Sequence, residues 1–199
     1  MAELYLITPR QFDLATFGPQ LERVLGAVDV ACVRLALDSR DEAVIAEAAA
    51  RIKEICEDRD IPVVLEAHYR LVQSLGLDGV HLAGTQDIRA AREALPHGAI
   101  VGSYCGVSRH AGLLAGEIGA DYVSFGPITP SALGSGEVAD PDMFEWWAEV
   151  VEVPVVVEGQ VSREGLAPIQ SNADFIAVGD EIWGEADPVK ALQDLLNSA

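Results

Sequence analysis

Positive charge is what this sequence has least of. Thirteen lysines and arginines face 32 aspartates and glutamates, a formal net charge of −19, and only Lys53 and Lys190 are lysines. A field of that sign repels a polyanion unless a local basic patch overcomes it, and no basic run is present, so nucleic acid is a poor partner. Cysteine is scarce as well. Cys32, Cys56 and Cys105 fall in separate elements, without the close spacing of a zinc knuckle or a redox dithiol, and read as buried small hydrophobes. Long apolar runs are missing: the longest, such as Val153 to Val157, are broken by proline or charge and fall well short of a membrane span. The chain goes directly into Leu4-Tyr5-Leu6-Ile7 with neither a basic segment nor a small-residue cleavage site, which predicts a cytoplasmic protein with no membrane partner. The acidity itself fits either a solubility or salt adaptation or a functional role.

What is present is apolar and ordered. Half of the 199 residues are hydrophobic, enough for one domain with a substantial core over residues 1–199. The chain is organised around Gly119 to Gly136, where a short apolar strand, Tyr122 to Phe125, opens into a loop rich in glycine, proline and serine. The same design, a helix end running through Asp into an apolar strand, recurs at Gly76 to Leu82 and more loosely at Asn172 to Val178.

Eight short strands are predicted, at Glu3 to Ile7, Asp29 to Leu35, Ile61 to Leu65, Gly79 to Leu82, Ala99 to Ser103, Tyr122 to Phe125, Pro154 to Val157 and Phe175 to Val178. Helices alternate with them: Phe17 to Gly26, Asp41 to Asp58 capped by Ser39 or Asp38, a helix through Leu75, Asp87 to Leu95 with Thr85 as a possible cap, Val107 to Ile118, one opening at Asp140-Pro141-Asp142, Arg163 to Ile169, a turn at Asp180 to Trp183, and Asp187 to Leu196. Adjacent Trp146 and Trp147 read as one core and one rim residue, or as a subunit contact in a homodimer. Alternating strands and helices argue a parallel sheet covered by helices. The fold class is therefore α/β, a single-domain (β/α)8 TIM barrel. A doubly wound sheet would place a glycine-rich loop after its first strand, and Thr8-Pro9-Arg10-Gln11 is not one.

The opening Leu4-Tyr5-Leu6-Ile7-Thr8, the strand-end Arg34, Gly79-Val80-His81-Leu82, Gly119-Ala120-Asp121-Tyr122-Val123, and Gly126-Pro127-Ile128 with Pro130-Ser131 occur in an order and spacing that resembles the thiamine phosphate synthase family over nearly the whole chain. The resemblance implies a Mg²⁺-dependent reaction in which hydroxymethylpyrimidine pyrophosphate loses pyrophosphate and the nitrogen of a thiazole phosphate attacks the released carbon centre. Such a site needs cations or amide donors around the leaving pyrophosphate, a carboxylate-bound metal, and a phosphate cup.

Against those needs the chain departs from the family at several points. Where the family has Gln-Leu-Arg-x-Lys, this chain has Cys32-Val33-Arg34-Leu35-Ala36; where it has Asn-Asp-Arg, this chain has Glu66-Ala67-His68. The family's Gly-Gln-x-Asp becomes Ala83-Gly84-Thr85-Gln86 with Asp87 one place later, which makes Asp87 the metal ligand if synthase activity and its Mg²⁺ are retained. Ser-x-His becomes Tyr104-Cys105-Gly106, with His110 further on, and Pro-Thr-Lys-Thr-Lys becomes Pro130-Ser131-Ala132-Leu133-Gly134, without either lysine. The family's phosphate cup corresponds to Gly159-Gln160 and Gly179-Asp180. Asp180 there would repel a dianion, so the cup fits a neutral or cationic group.

Arg34 is a candidate for recognising an anion or carboxylate, or for a structural ion pair with Glu66. Glu66 and His68 are a candidate acid/base pair. His81 reads either as a structural or as a working histidine. Glu158, Asp180 and Glu181, with Glu66, form either a metal ring or an acidic rim. Tyr104, His68, Trp183 and Phe125 are expected around a flat cavity for a heteroaromatic ligand, with Gly126, Ser131, Gly159, Gln160, Gly179 and Asp180 binding it. The loop holding Ser131, Ser135, Gly134 and Gly136 reads as a lid. The expectation is a divergent member whose synthase activity is lost or strongly altered and which keeps a small-molecule pocket at the C-terminal mouth. The alternatives are an active synthase, or an enzyme like a thiazole tautomerase that uses His68 or His110 to move a proton.

Overall fold

The computed structural model describes residues 2–131, 133 and 135–196. Eight parallel strands, β1 (Glu3–Ile7), β2 (Cys32–Leu35), β3 (Val63–Glu66), β4 (Gly79–Leu82), β5 (Ile100–Tyr104), β6 (Tyr122–Phe125), β7 (Val155–Val157) and β8 (Phe175–Val178), pair in chain order, and β8 returns to β1 to close the barrel. Helices α1 (Leu14–Leu25), α2 (Glu42–Glu57), α3 (Tyr69–Leu75), α4 (Ile88–Ala94), α5 (Arg109–Glu117), α6 (Pro141–Val150), α7 (Arg163–Leu166), α8 (Asp180–Trp183) and α9 (Pro188–Leu196) follow the strands, so the (β/α)8 barrel expected from the alternation is the fold observed. Among the described residues no helix is long and apolar enough to cross a membrane.

The boundaries move where backbone chemistry overrides apolar pattern. The helix expected from Phe17 begins at Leu14, because the Asp13 carboxylate accepts the Thr16 N–H at 3.1 Å and caps the first turn. The cap of α2 is Asp41 and not Ser39 or Asp38: Asp41 accepts from Ala43 N at 2.9 Å, while Ser39 Oγ accepts from Asp41 N. Asp87 stands at the cap position of α4, and Thr85 contributes only its carbonyl, to Ile88 N. The third strand starts at Val63 and not Ile61, since Pro62 has no N–H to place in a ladder.

Side chains alternate across each strand, which builds two cores. The outward set, including Leu6, Val33, Val80, Val123 and Phe125, packs under the helices. Phe125 meets Phe144 and Trp147 edge to face at 6.2 and 4.9 Å, contacts of the kind that add about 1 kcal/mol each beyond burial. Trp147 is buried and donates its indole N–H to Val153 O at 2.8 Å, whereas Trp146 is half-buried with the Arg109 guanidinium 5.0 Å from its ring, one core and one rim residue.

The inward set is small and partly polar. Tyr5, Cys32, Val64, Tyr122, Val156 and Ala177 fill the lower barrel. Gly102 makes room for this packing: a Cβ there would lie 2.0 Å from the Tyr122 ring. Towards the C-terminal end of the strands the inward positions become Arg34, His81, Ser124 and Glu158, all buried. Charge in that layer needs partners, and those partners define the site.

Candidate functional site

The C-terminal mouth holds a cavity of about 350 Å³ whose lining includes Thr8, Arg10, Arg34, Ser131, Glu158 and Glu181. A wider groove of about 910 Å³ at the opposite end is lined largely by apolar residues such as Leu4, Val30, Ile176 and Leu196. Ligands of this fold enter at the C-terminal face, and it is there that buried charge converges.

Arg34 comes from β2 and Glu158 from the residue after β7, both only 4% exposed. Arg34 Nη1 donates to Glu158 Oε2 at 3.0 Å and Nη2 to Glu158 Oε1 at 3.3 Å, a two-point guanidinium–carboxylate pair. On its other side Arg34 Nε lies 3.4 Å from Glu66 Oε2, and Glu66 Oε1 accepts from Arg10 Nη1 at 2.9 Å. The Arg34 guanidinium also sits 5.8 Å from the Tyr5 ring centroid. Burial pulls the Arg34 guanidinium down, but Glu158, Tyr5 and Glu66 more than reverse this and hold it above its ordinary value. Burial pushes the Glu158 carboxyl up, and the Arg34 charge, with His81 and the buried Ser124, brings it below the ordinary carboxylate range. Both groups are therefore ionised at neutral pH.

His81 is 3% exposed on β4, on the inward face of the barrel. Its Nδ1 is 2.9 Å from Tyr122 Oη, which in turn is 2.8 Å from Tyr5 Oη, and its Nε2 is 3.8 Å from Glu158 Oε2. Burial and then the Arg34 charge lower it to about 3, against the opposing pull of Glu158, so the imidazole is neutral and fixed in a hydrogen-bonded chain.

A second set of donors converges on Glu181. Its Oε1 accepts the Val161 N–H at 2.9 Å and its Oε2 accepts the Gly179 N–H at 2.7 Å. Asp180 beside it is exposed and also lines the cavity. Across the mouth Thr8 Oγ1 accepts from Ala36 N at 3.0 Å. The cavity wall thus carries two guanidinium groups, Arg10 and Arg34, and three carboxylates, Glu158, Asp180 and Glu181, with Glu66 in contact with both arginines.

Of the residues expected at the site, Arg34, Ser131, Gly159, Gln160, Gly179 and Asp180 line this one cavity. Glu66 reaches it through its two arginines. Gly126 is next to the wall and not in it: its carbonyl accepts from Tyr104 Oη at 2.7 Å, and a Cβ on it would lie 1.8 Å from Glu158 O, so glycine lets β6 and β7 end side by side. Tyr104 is held by that bond, with burial raising its hydroxyl to about 12. His68 is partly buried ahead of α3, His110 is exposed near the start of α5, and Asp87 is exposed before α4; none of the three is among the cavity-lining residues. The flat aromatic cavity does not form as expected, since Phe125 faces the helices and Trp183 donates its indole N–H to Ile7 O and packs on Phe17. Of the lid, Gly134 and Ala132 lie outside the described residues.

The carboxylates at the mouth do not fit a Mg²⁺ site. Glu158 is ion-paired, Glu181 accepts backbone amides, Asp87 is outside the cavity, and among the described residues no group of three or more His, Cys, Asp or Glu is placed to hold a metal ion. Sequence reasoning missed three features: the Glu158 partner of Arg34, the two amides on Glu181, and the Tyr5–Tyr122–His81 chain. The signal for the first was strand parity, which puts Glu158 on the same inward face as Val156.

The family model described as thiamine monophosphate synthase matches residues 4–182. The thiamine-phosphate synthase of Rhodospirillum centenum is 42% identical over 198 residues, covering 96% of this chain and 94% of that protein. That of Hyphomonas neptunium is 35% identical over 208 residues, covering 98% and 94%. The solved thiamine phosphate pyrophosphorylase of Pyrococcus furiosus superposes with a TM-score of 0.85 at 22% identity, covering 98% of this chain and 94% of that one, a likeness of fold.

Proposed function

The chain belongs to the thiamine monophosphate synthase family, and we propose that this member has lost or strongly altered the synthase reaction while keeping its mouth cavity as a site for a small heteroaromatic ligand without phosphate. The observation that carries this reading is the Arg34–Glu158 pair. Expelling pyrophosphate requires positive charge that is free to meet developing negative charge. Here the buried guanidinium is taken by two oxygens of Glu158 and flanked by Glu66, and Arg10 is also on Glu66.

An incoming phosphate would face the remaining carboxylates. At about 4 Å and an effective dielectric of about 20, each like-charge contact opposes binding by roughly 4 kcal/mol per unit charge. A neutral or cationic ring meets no such penalty, and Ile7, Ala36, Leu133 and Ala177 supply apolar wall for its faces. A volume of about 350 Å³ lies in the lower part of the range for small-molecule sites.

Calorimetry tests the choice of ligand. Neutral hydroxyethylthiazole and hydroxymethylpyrimidine compounds are expected to give binding heat, and their phosphates none; heat from the phosphates alone contradicts the reading. A second reading, an active synthase, is favoured by the 42% identity to the Rhodospirillum centenum protein over nearly its whole length. It predicts the opposite ranking in the same titrations.

A further inference from the structure

Glu181 makes contacts that a bound ligand would be expected to make. It is contributed by α8, just past the end of β8, and its carboxylate turns back so that each oxygen takes one backbone N–H: Val161, from the loop after β7, at 2.9 Å, and Gly179, at the end of β8, at 2.7 Å. These distances are in the range of charge-assisted hydrogen bonds. In (β/α)8 barrels the loops after the seventh and eighth strands are where phosphate is frequently held, and a backbone N–H exposed there is a donor for an anion. In this chain the Glu181 carboxylate holds both donors, and Glu181 and Gly179 line the cavity.

We propose that Glu181 is an internal ligand of these two donors and the residue that sets specificity at the mouth, by excluding ligands that carry a terminal phosphate. The inference deepens the proposed reading of the mouth as a ligand site, on which it rests, by naming the class of ligand that is refused and the group that refuses it. The charge repulsion of Asp180 alone does not explain the arrangement. Asp180 is exposed and leaves the amides free, whereas Glu181 removes the donors themselves. A tethered carboxylate competes at an effective concentration of millimolar or more, so an external anion has to displace it before gaining any contact.

The test is titration of the ¹⁵N-labelled full chain with inorganic phosphate, following the amide resonances of Val161 and Gly179. In the wild type both are expected to stay unmoved up to about 10 mM phosphate, whereas Glu181→Ser, too short to reach both donors, is expected to bind phosphate at least about 10-fold more tightly, with both amides shifting. Asp180→Asn, which eases charge repulsion but leaves Glu181 on both donors, should leave the two amides unmoved at the phosphate concentrations at which Glu181→Ser responds. Glu181→Gln keeps the side-chain volume and gives up the charge; it covers the case in which the serine variant does not fold, and should respond in the same direction. Movement of the two amides in the wild type at phosphate up to about 10 mM overturns the proposal, as does a folded Glu181→Ser or Glu181→Gln chain with no response. Failure of the underlying reading has a different signature: the neutral thiazole and pyrimidine compounds do not bind the wild type, whatever phosphate does to the variants.

Discussion

Arg34 and Glu158 face each other across the barrel mouth and share two hydrogen bonds, Nη1 to Oε2 at 3.0 Å and Nη2 to Oε1 at 3.3 Å, with both side chains almost wholly buried. A guanidinium placed this way is bound to the chain's own carboxylate before any ligand arrives. The pair therefore carries both a stability argument and a functional one.

For stability, breaking the pair from one side is expected to be costly and removing both sides mild. Glu158→Ala or Arg34→Ala should destabilise by about 3–5 kcal/mol, because each leaves a buried charge alone, whereas the double variant Arg34→Met with Glu158→Leu should lie within about 2 kcal/mol of the wild type. Urea denaturation of the single and double variants measures the coupling. Additive losses would show that the two side chains do not depend on each other.

His81 gives the fold a dependence on pH that can be assigned. Its folded value, about 3, is below the ordinary 6.5, so between those pH values the unfolded chain binds a proton that the folded one refuses, and stability falls as pH drops from 6.5 towards 3. Glu158, held below 4.5, acts in the same direction: its contribution is present above 4.5 and is lost as pH falls through its lower folded value. His81→Asn is expected to flatten the curve between pH 7 and 5 by about 1 kcal/mol or more, since a tenfold difference in proton affinity between the folded and unfolded chains is worth about 1.4 kcal/mol. Denaturation curves for both proteins across that range decide it.

Much of the barrel was legible because parallel strands buried on both sides read as apolar runs, as in Val63-Val64-Leu65 and Val155-Val156-Val157. Strand starts were less so, since Asp29-Val30-Ala31 is apolar enough to pass for strand yet only Cys32 onwards pairs, Ala31 instead sending its N–H to Leu4 O. At the site, the sequence placed Arg34, Gly159, Gln160, Gly179 and Asp180 at strand ends of one rim, and they share a cavity. It offered Glu66 as an Arg34 partner, which the 3.4 Å contact bears out, and left Glu158 among possible metal ligands, because strand ends fix where a side chain starts and not which carboxylate takes both guanidinium Nη atoms. The contacts of Glu181 depend on two backbone amides, which side-chain identity does not reveal.

The cysteines should be inert in the folded protein. All three are buried and free, and burial raises the thiols of Cys32 and Cys56 to about 12 and that of Cys105 to about 11. A thiol reagent at neutral pH is expected to label none of them within minutes under native conditions and all three in denaturant. Rapid native labelling of any one would show that its surroundings open.

Gly102 is a packing requirement of the inner layer. Alanine there would place its Cβ 2.0 Å from the Tyr122 ring and displace the hydroxyl that joins Tyr5 to His81. Gly102→Ala is expected to destabilise by about 2–3 kcal/mol, measurable as a shift in the urea midpoint with little change in slope.

The central claim is that a mouth whose arginine is already paired does not drive off pyrophosphate. Its most direct measurement is Mg²⁺-dependent condensation of hydroxymethylpyrimidine pyrophosphate with thiazole phosphate, run side by side with the Rhodospirillum centenum synthase. The account predicts a kcat/KM for this chain at least about 1,000-fold lower, equivalent to roughly 4 kcal/mol of lost transition-state stabilisation. Turnover within about 10-fold of that relative, abolished by Arg34→Ala, contradicts it.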